Sequence, residues 1–397
     1  MSFLTDLVSL DLTALALLAL AAWLFLTWGR ADFWKADVWL APEPASPTAM
    51  TSSVTVVIPA RNEAETIART VSSLTRQTFS GPLRIIVVDD QSTDATAAEA
   101  EGAATNHVPV ETVSGTALPP GWSGKVWAMA QGLERATSDA QQPDYILFTD
   151  ADIEYRPATL DKMVRKADAD GLTFVSFMAR LDARGIWGKL LIPAFIYFFQ
   201  LIYPFKRANT RYDSLAAAAG GCFLVRREAL DAMGGLAAIK GEIIDDCQLA
   251  RALKHARPAH DTLTTLTHDV TSLRDNRALD SIWNMVARTA FTQLAHSWLA
   301  LAGTLLGLLL TFVVPVWALL AWVAGSAPWH DGLMGGAALL LMARTYWPTV
   351  RLYGLSPVWA FSLPGAAVIY CGATITSAFR HARGSGARWK GRSYAAG

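Results

Sequence analysis

Two aspartates one residue apart, Asp150 and Asp152, follow the short apolar run Tyr145 to Phe148 in the stretch DYILFTDADIEY. A buried strand cannot carry them, so the run predicts a strand that ends as the carboxylates arrive. At the carboxyl end of a strand in an open α/β sheet they would face the crevice where such sheets bind ligands. Hard oxygen donors there suit Mg²⁺ or Mn²⁺ holding a diphosphate. The plainer alternative is an acidic turn that only caps the next helix.

Other carboxylates recur at similar places. Pro59-Ala60-Arg61-Asn62-Glu63 ends one apolar run, and Asp89-Asp90 ends the next. A carboxylate such as Asp90 can accept from the imide N–H of uracil, whereas Asp89 and Asp90 with Ser92 and Thr93 could equally start a helix. No Walker or Rossmann glycine fingerprint follows either run, which leaves a metal as the main partner of a diphosphate. Lys125, in the loop GWSGK, is a candidate second cation. Glu242 to Ala250, with Asp245 and Asp246, leads into CQLARALKH. Carboxylates there favour the positive end of a helix, or serve as the general base that takes a proton from an acceptor hydroxyl.

The elements that must position these groups alternate as in an α/β domain. Val54 to Ile58 and Arg84 to Asp90 are continuous apolar runs, as parallel strands covered on both faces should be. Helices are predicted over about Glu63 to Thr78, from near Asp94, and over Val126 to Thr137, with a weak third strand at Asn106 to Pro109.

The chain has 397 residues, 52% of them apolar, and the surplus is concentrated at the two ends. Lys plus Arg and Asp plus Glu balance at 34 each, so no global field argues for a nucleic acid polymer as partner. Cys222, Cys247 and Cys371 lack metal-ligand spacing and suggest reduced thiols facing the cytoplasm.

These signals divide the chain into five parts. Residues 1–40 form an uncleaved anchor whose uncharged run Leu12 to Trp28 is just long enough to span a bilayer, followed by Arg30 and Lys35. Residues 41–53 include APEPASPT and read as a linker. Residues 54–296 form the catalytic domain, within which Ile186 to Phe205, interrupted by Pro193 and Pro204, is expected to lie in the membrane interface. Residues 297–379 hold spans at about 298–325 and 355–379, with 333–350 ambiguous because Arg344 and Pro348 interrupt it. The tail 380–397 carries Arg380, Arg383, Arg388, Lys390 and Arg392 and is expected in the cytoplasm.

The ordered set PARNE, VVDDQSTDAT, TDADI, GGCFLVRREAL and EIIDDCQLA, between an N-terminal anchor and C-terminal apolar segments, resembles the membrane-bound family 2 glycosyltransferases. Within them it is similar to the ceramide-glucosyltransferase-like group, and in particular to bacterial hopanoid-biosynthesis-associated glycosyltransferases. The resemblance covers about Val54 to Arg288, and Trp389-Lys390-Gly391-Arg392 also fits that subgroup.

It implies a GT-A fold, an α/β class with a Rossmann-like, mostly parallel sheet, here with transmembrane helices at both ends. It also implies inverting transfer from a nucleotide diphosphate sugar, usually UDP-linked. The acceptor would be a membrane lipid such as a hopanoid, and the setting a bacterial inner membrane crossed several times with the catalytic domain in the cytoplasm. Carried over by position, Pro59, Arg61, Glu63 and Asp90 match the nucleoside-binding region. Asp150 matches a ribose and diphosphate position, Asp152 the metal ligand with Asp150 beside it, and Asp246 the catalytic base, with Asp245 standing where the family has glutamate. Gly220, Gly221 and Cys222 match the loop bordering the sugar pocket. Arg288 matches the arginine of a diphosphate-clamping element in which Met285 and Thr289 replace the usual Gln and Trp. Transfer to a polyprenyl phosphate and a non-catalytic scaffold of the same fold are the competing expectations.

Overall fold

The structure, a computed structural model, describes residues 2–40, 50–256, 261–384, 388–389 and 392–393. The proline-rich part of the expected linker and Lys390 of the basic tail lie outside the described residues. The chain forms two compact units. One comprises Asp37–Asp182, Phe205–Arg274 and Ala387–Gly397, and the other Met1–Ala36, Ala183–Pro204 and Asp275–Gly386.

The first unit is an α/β domain built on one eight-stranded sheet. Its strands are β1 (Val54–Ala60), β2 (Leu83–Asp89), β3 (Val110–Ser114), β4 (Tyr145–Thr149), β5 (Ile153–Tyr155), β6 (Phe174–Arg180), β7 (Cys222–Arg226) and β8 (Thr262–Ser272). They lie in the order β3-β2-β1-β4-β7-β6-β8-β5. β1 to β4 pair in parallel, as do β6 and β8, while β7 runs antiparallel to both β4 and β6, and β5 runs antiparallel to β8. The sheet is therefore parallel-dominant and mixed. Strands β1 and β2 are followed on one side by β3 and on the other by β4, so the strand order reverses between β1 and β4. Such a switch point opens a crevice at the carboxyl ends of the strands.

Continuous apolar runs are required because both sheet faces are covered. Val56, Ile58, Ile85, Val87 and Leu147 belong to the core on one face. Val57, Ile86, Val88, Ile146 and Phe148 belong to the core on the other. The helix Gly124–Thr137 packs on this second face through Val126, Met129 and Ala136.

The third strand corrects the expected position by several residues. It begins after Pro109, whose carbonyl accepts from Ile85 N–H at 2.9 Å. A proline has no N–H for the ladder, so regular pairing starts at Val110. The first helix is also shorter than expected, Ile67–Thr75, because turns tied together by side chains occupy residues 62–66, and the second runs over Thr96–Gly102, starting close to the expected position.

The second unit is helical, starting with Ser2–Trp28. Among the described residues three helical runs are long and apolar enough to cross a membrane: Gly185–Ile202, Trp298–Val323 and Pro357–Ala382. Leu12–Trp28 is a shorter apolar stretch. The segment expected to be interrupted at Pro193 is instead one helix, Gly185–Ile202. Proline removes one backbone hydrogen bond, and the burial of Leu191, Ile192, Ala194, Ile196 and Tyr197 around it keeps the helix intact. This helix and residues 275–296 group with the helical unit and not with the α/β domain. Residues 333–350, ambiguous by sequence, fall inside the single helix Trp329–Leu352, which also continues through its proline, Pro348.

Candidate active site

The Asp150-Ala151-Asp152 turn is pinned by backbone contacts from three directions. Asp150 N–H donates to the Gly221 carbonyl at 3.2 Å, Leu273 N–H donates to the Asp152 carbonyl at 2.7 Å, and the Thr70 hydroxyl donates to the Ala151 carbonyl at 2.8 Å. The turn thus joins the loop before β7, the exit of β8 and the helix Ile67–Thr75. All three contacts are made to the turn's own main chain, so its geometry does not depend on the two carboxylates.

Lys125 sits at the start of the helix Gly124–Thr137, whose N-terminal end is fixed by Ser123 N–H donating to the Lys240 carbonyl at 2.7 Å. Its ammonium lies 2.8 Å from Asp150 Oδ1 and 3.1 Å from Asp245 Oδ2. Burial alone would lower the lysine pKa, but Asp150, Asp245 and Asp246 outweigh it and hold the ammonium well above its ordinary range. Lys125 is therefore a fixed positive charge joining the end of β4 to the start of the helix Asp245–Ala256.

Asp245 and Asp246 occupy the first turn of that helix, where its positive end favours carboxylates. Asp246 Oδ1 accepts from Cys247 N–H at 2.8 Å. Its other oxygen faces Gly220, where a β-carbon would come within 3.1 Å of Asp246 Oδ2. Burial, reinforced by Asp245, pushes the Asp246 carboxyl up to about 7, against the opposing pull of Lys125 and the Cys247 N–H. A group in that range is matched to proton transfer near neutral pH. Burial, then the charges of Asp150 and Glu63, likewise raise Asp152 to about 6 while Arg274 and Lys125 oppose the rise.

The loops after β1 and β2 are laced together. Asp90 N–H donates to the Ala60 carbonyl at 2.8 Å, Asn62 N–H to the Ser92 hydroxyl at 3.0 Å, Glu63 N–H to the Thr96 hydroxyl at 2.8 Å, and Thr93 N–H to Asn62 Oδ1 at 2.8 Å. Asn62 and Gln91 take left-handed backbone conformations (φ 51° and 56°) to make these turns. Asp90 is fully buried, and Arg61 donates to its main-chain carbonyl and lies 3.8 Å from its carboxylate. Pro59, in β1, stands opposite Val88 of β2.

The α/β unit thus holds Pro59, Arg61, Glu63, Asp90, Lys125, Asp150, Asp152, Gly220, Gly221, Asp245 and Asp246. Arg288 lies on the helix Leu279–Gln293 of the helical unit. Arg274 was missed by sequence reasoning. It belongs to no motif, and its proximity to Asp152 arises from the exit of β8 beside the turn, a long-range pairing without a local signal. Among the described residues no group of three or more His, Cys, Asp or Glu could hold a metal unaided. Asp150 and Asp152 offer two hard carboxylates, the complement expected of an ion completed by a bound diphosphate.

Comparison with known proteins agrees with this architecture. Residues 55–234 match the family model for Glycosyl transferase family 2, and the architecture is that of the GT-A fold. One curated relative, a 4,4'-diaponeurosporenoate glycosyltransferase from Staphylococcus haemolyticus, is 35% identical over 106 residues. That match spans 26% of this chain and 25% of the relative's length. Among solved structures, a mannosyltransferase from Pyrobaculum calidifontis in complex with GDP-Man and Mn²⁺ has a TM-score of 0.51 at 19% identity, covering 92% of this chain and 99% of its own. Glucosyl-3-phosphoglycerate synthase from Mycobacterium tuberculosis gives a TM-score of 0.39 at 21% identity, over 62% of this chain and 79% of its own.

Proposed function

We propose that the chain is an inverting glycosyltransferase that moves a sugar from a nucleotide diphosphate sugar, UDP-linked, to the hydroxyl of a membrane lipid, a hopanoid or similar polycyclic alcohol. The observation that carries this reading is the Lys125 bridge, 2.8 Å from Asp150 and 3.1 Å from Asp245. One cation holds together the donor-side turn and the carboxylate pair that would meet an acceptor.

In this reading Glu63 and Asp90, with Pro59 and Arg61, shape the nucleoside end of the site. Asp150 and Asp152 would hold Mg²⁺ or Mn²⁺, which when bound supplies charge neutralisation for a departing diphosphate. Lys125 and Arg274 add positive charge beside the same turn. Asp245 is engaged by Lys125, whereas Asp246 faces Gly220, so Asp246 is the base. It takes the acceptor proton as the acceptor oxygen bonds to the anomeric carbon and the bond to the diphosphate oxygen breaks. Arg288 is assigned to the diphosphate by resemblance alone.

A lipid acceptor is supported by the three apolar helices and by the relative whose name gives a lipid-like carotenoid acid as its acceptor. Placement across a bacterial inner membrane, with the α/β unit in the cytoplasm, accords with the free cysteines Cys222, Cys247 and Cys371. That relative also favours a second reading in which the acceptor is a carboxylate. An anion needs no strong base, so dependence on Asp246 separates the two.

The test uses the full chain in lipid with UDP-sugar and a polycyclic alcohol, following UDP release and glycolipid formation. Asp246→Asn is expected to abolish transfer while UDP still binds. A variant that retains substantial turnover sinks the assignment of the base, and no glycolipid from any hydroxylated lipid sinks the acceptor class.

A further inference from the structure

The chain is neutral as a whole, but its last part is not. From Ser281 to Gly397 the only acidic residue is Asp331, against eight Lys and Arg. Asp331 follows the far end of the apolar run Trp298–Val323 and accepts from the Thr13 hydroxyl at 2.7 Å. At the near end of that run the helical unit gathers Arg380, Arg383 and two histidines. His296 stands between the helix Leu279–Gln293 and the start of the run, and His381 stands where the second apolar run, Pro357–Ala382, ends.

The two imidazoles are stacked. Their ring centroids lie 4.1 Å apart with planes 11° from parallel, and Phe291 backs them at 5.6 and 5.4 Å. Such a stack leaves the ring edges of both histidines on shared flanks. His296 takes a left-handed backbone (φ 56°) after Ala295 in the same region (φ 49°), an uncommon turn for residues with a β-carbon. One of its ring nitrogens, Nε2, lies 3.3 Å from Thr292 Oγ1. The His381 ring and the Arg383 guanidinium make no hydrogen bond or ion pair among the described residues. Arg380 donates to Asn284 Oδ1 at 2.8 Å, with Asp280 one turn further along that helix face.

The surroundings suit a charged group attached to an apolar body. Trp298, Leu299 and Phe379 are exposed beside the stack, and Trp298 meets Phe291 at 5.2 Å and Phe379 at 6.4 Å. Tryptophan at the end of an apolar helix marks the level of lipid headgroups, and His296 and Arg383 are exposed at that same level. The C-terminal end of the helix Leu363–Ala382 favours the cations of its last turn but brings them no counter-ion. Basic groups clustered at the end of membrane-length helices recruit anionic lipid. A lipid phosphate would accept from guanidinium and imidazole N–H groups while its acyl chains cover the exposed apolar side chains.

We propose that His296, His381 and Arg383 form a binding site for the phosphate of an anionic membrane lipid whose chains lie along Trp298, Leu299 and Phe379. The site does not depend on the function proposed above and is read without any sugar transfer. The full chain in a neutral detergent is titrated separately with dioctanoyl phosphatidylglycerol, dioctanoyl phosphatidylcholine and inorganic phosphate. Affinity is taken from the rise of the thermal midpoint with ligand concentration.

The expected result is that phosphatidylglycerol binds about tenfold tighter than phosphatidylcholine, the equivalent of one charge-assisted hydrogen bond. That preference should shrink as salt is added. His381→Gln combined with Arg383→Gln is expected to erase it. Arg351→Gln, which removes the same charge from an exposed position on the helix Trp329–Leu352, should leave it intact. Equal binding of the two lipids by the native chain overturns the proposal, as does an equal loss in Arg351→Gln, which would mean diffuse charge and no site. Inorganic phosphate that binds as tightly as phosphatidylglycerol would show a free-anion site and overturn the lipid. The lipid comparison and its salt dependence use the native chain, so they decide the matter even if the double variant does not fold.

Discussion

Gly220 and Asp246 are complementary in shape: a β-carbon on the glycine would stand 3.1 Å from Asp246 Oδ2, tighter than ordinary van der Waals contact. The absence of a side chain at 220 thus defines where the carboxylate rests. Gly220→Ala should displace it by a few tenths of an ångström and lower turnover about tenfold, since small misplacements of a reacting group are expensive. Nucleotide affinity should change little. A turnover equal to the native chain's, measured by UDP release, would show that the carboxylate's position is not limiting.

The pH dependence has a definite sign. As the proposed base, Asp246 would work only deprotonated, and burial with Asp245 raises it to about 7. Turnover under saturating donor should therefore rise with pH through about 7 and level off above it. Lys125 pulls this carboxyl down, so Lys125→Met should move the rising limb to higher pH. A profile flat from pH 5.5 to 8 would contradict the role.

Lys125 also stitches two elements by ion pairs. Lys125→Arg keeps the charge but not the compact ammonium and should retain more donor affinity than Lys125→Met, which leaves Asp150 and Asp245 without their shared cation. We expect the methionine variant to lose affinity for UDP by one to two orders of magnitude, about 1.5 to 3 kcal/mol for hydrogen bonds to a charged group. Isothermal titration in detergent decides this. Equal losses in the two variants would point to packing and not charge.

Removing the carboxylate proposed as the metal ligand should act on the donor alone. Asp152→Ala is expected to weaken Mn²⁺-dependent UDP binding while binding of lipid alcohols is unchanged. Coincident Mn²⁺ and UDP titration curves for variant and native chain would exclude Asp152 as a ligand.

Much of this domain could be read from the chain before folding. Each of β1, β2 and β4 is an uninterrupted apolar run, and two-faced burial leaves its polar residues nowhere to go but the strand end, which is where Asp89, Asp90 and Asp150 stand. Arg274 stayed hidden because it reaches the turn through the β5–β8 pairing, made by residues more than a hundred positions apart. Pro193 misled for a related reason. Proline weakens a helix locally, but the burial that outweighs it comes from distant segments.

The helix Gly185–Ile202 interrupts the sheet between β6 and β7, two strands that pair antiparallel with each other through Phe174 and Val225. During synthesis this apolar helix leaves the ribosome after β1 to β6 and before β7 and β8, while the sheet still lacks two strands. No single cut of the gene isolates the domain, and a soluble version needs a designed bridge from Asp182 to Phe205.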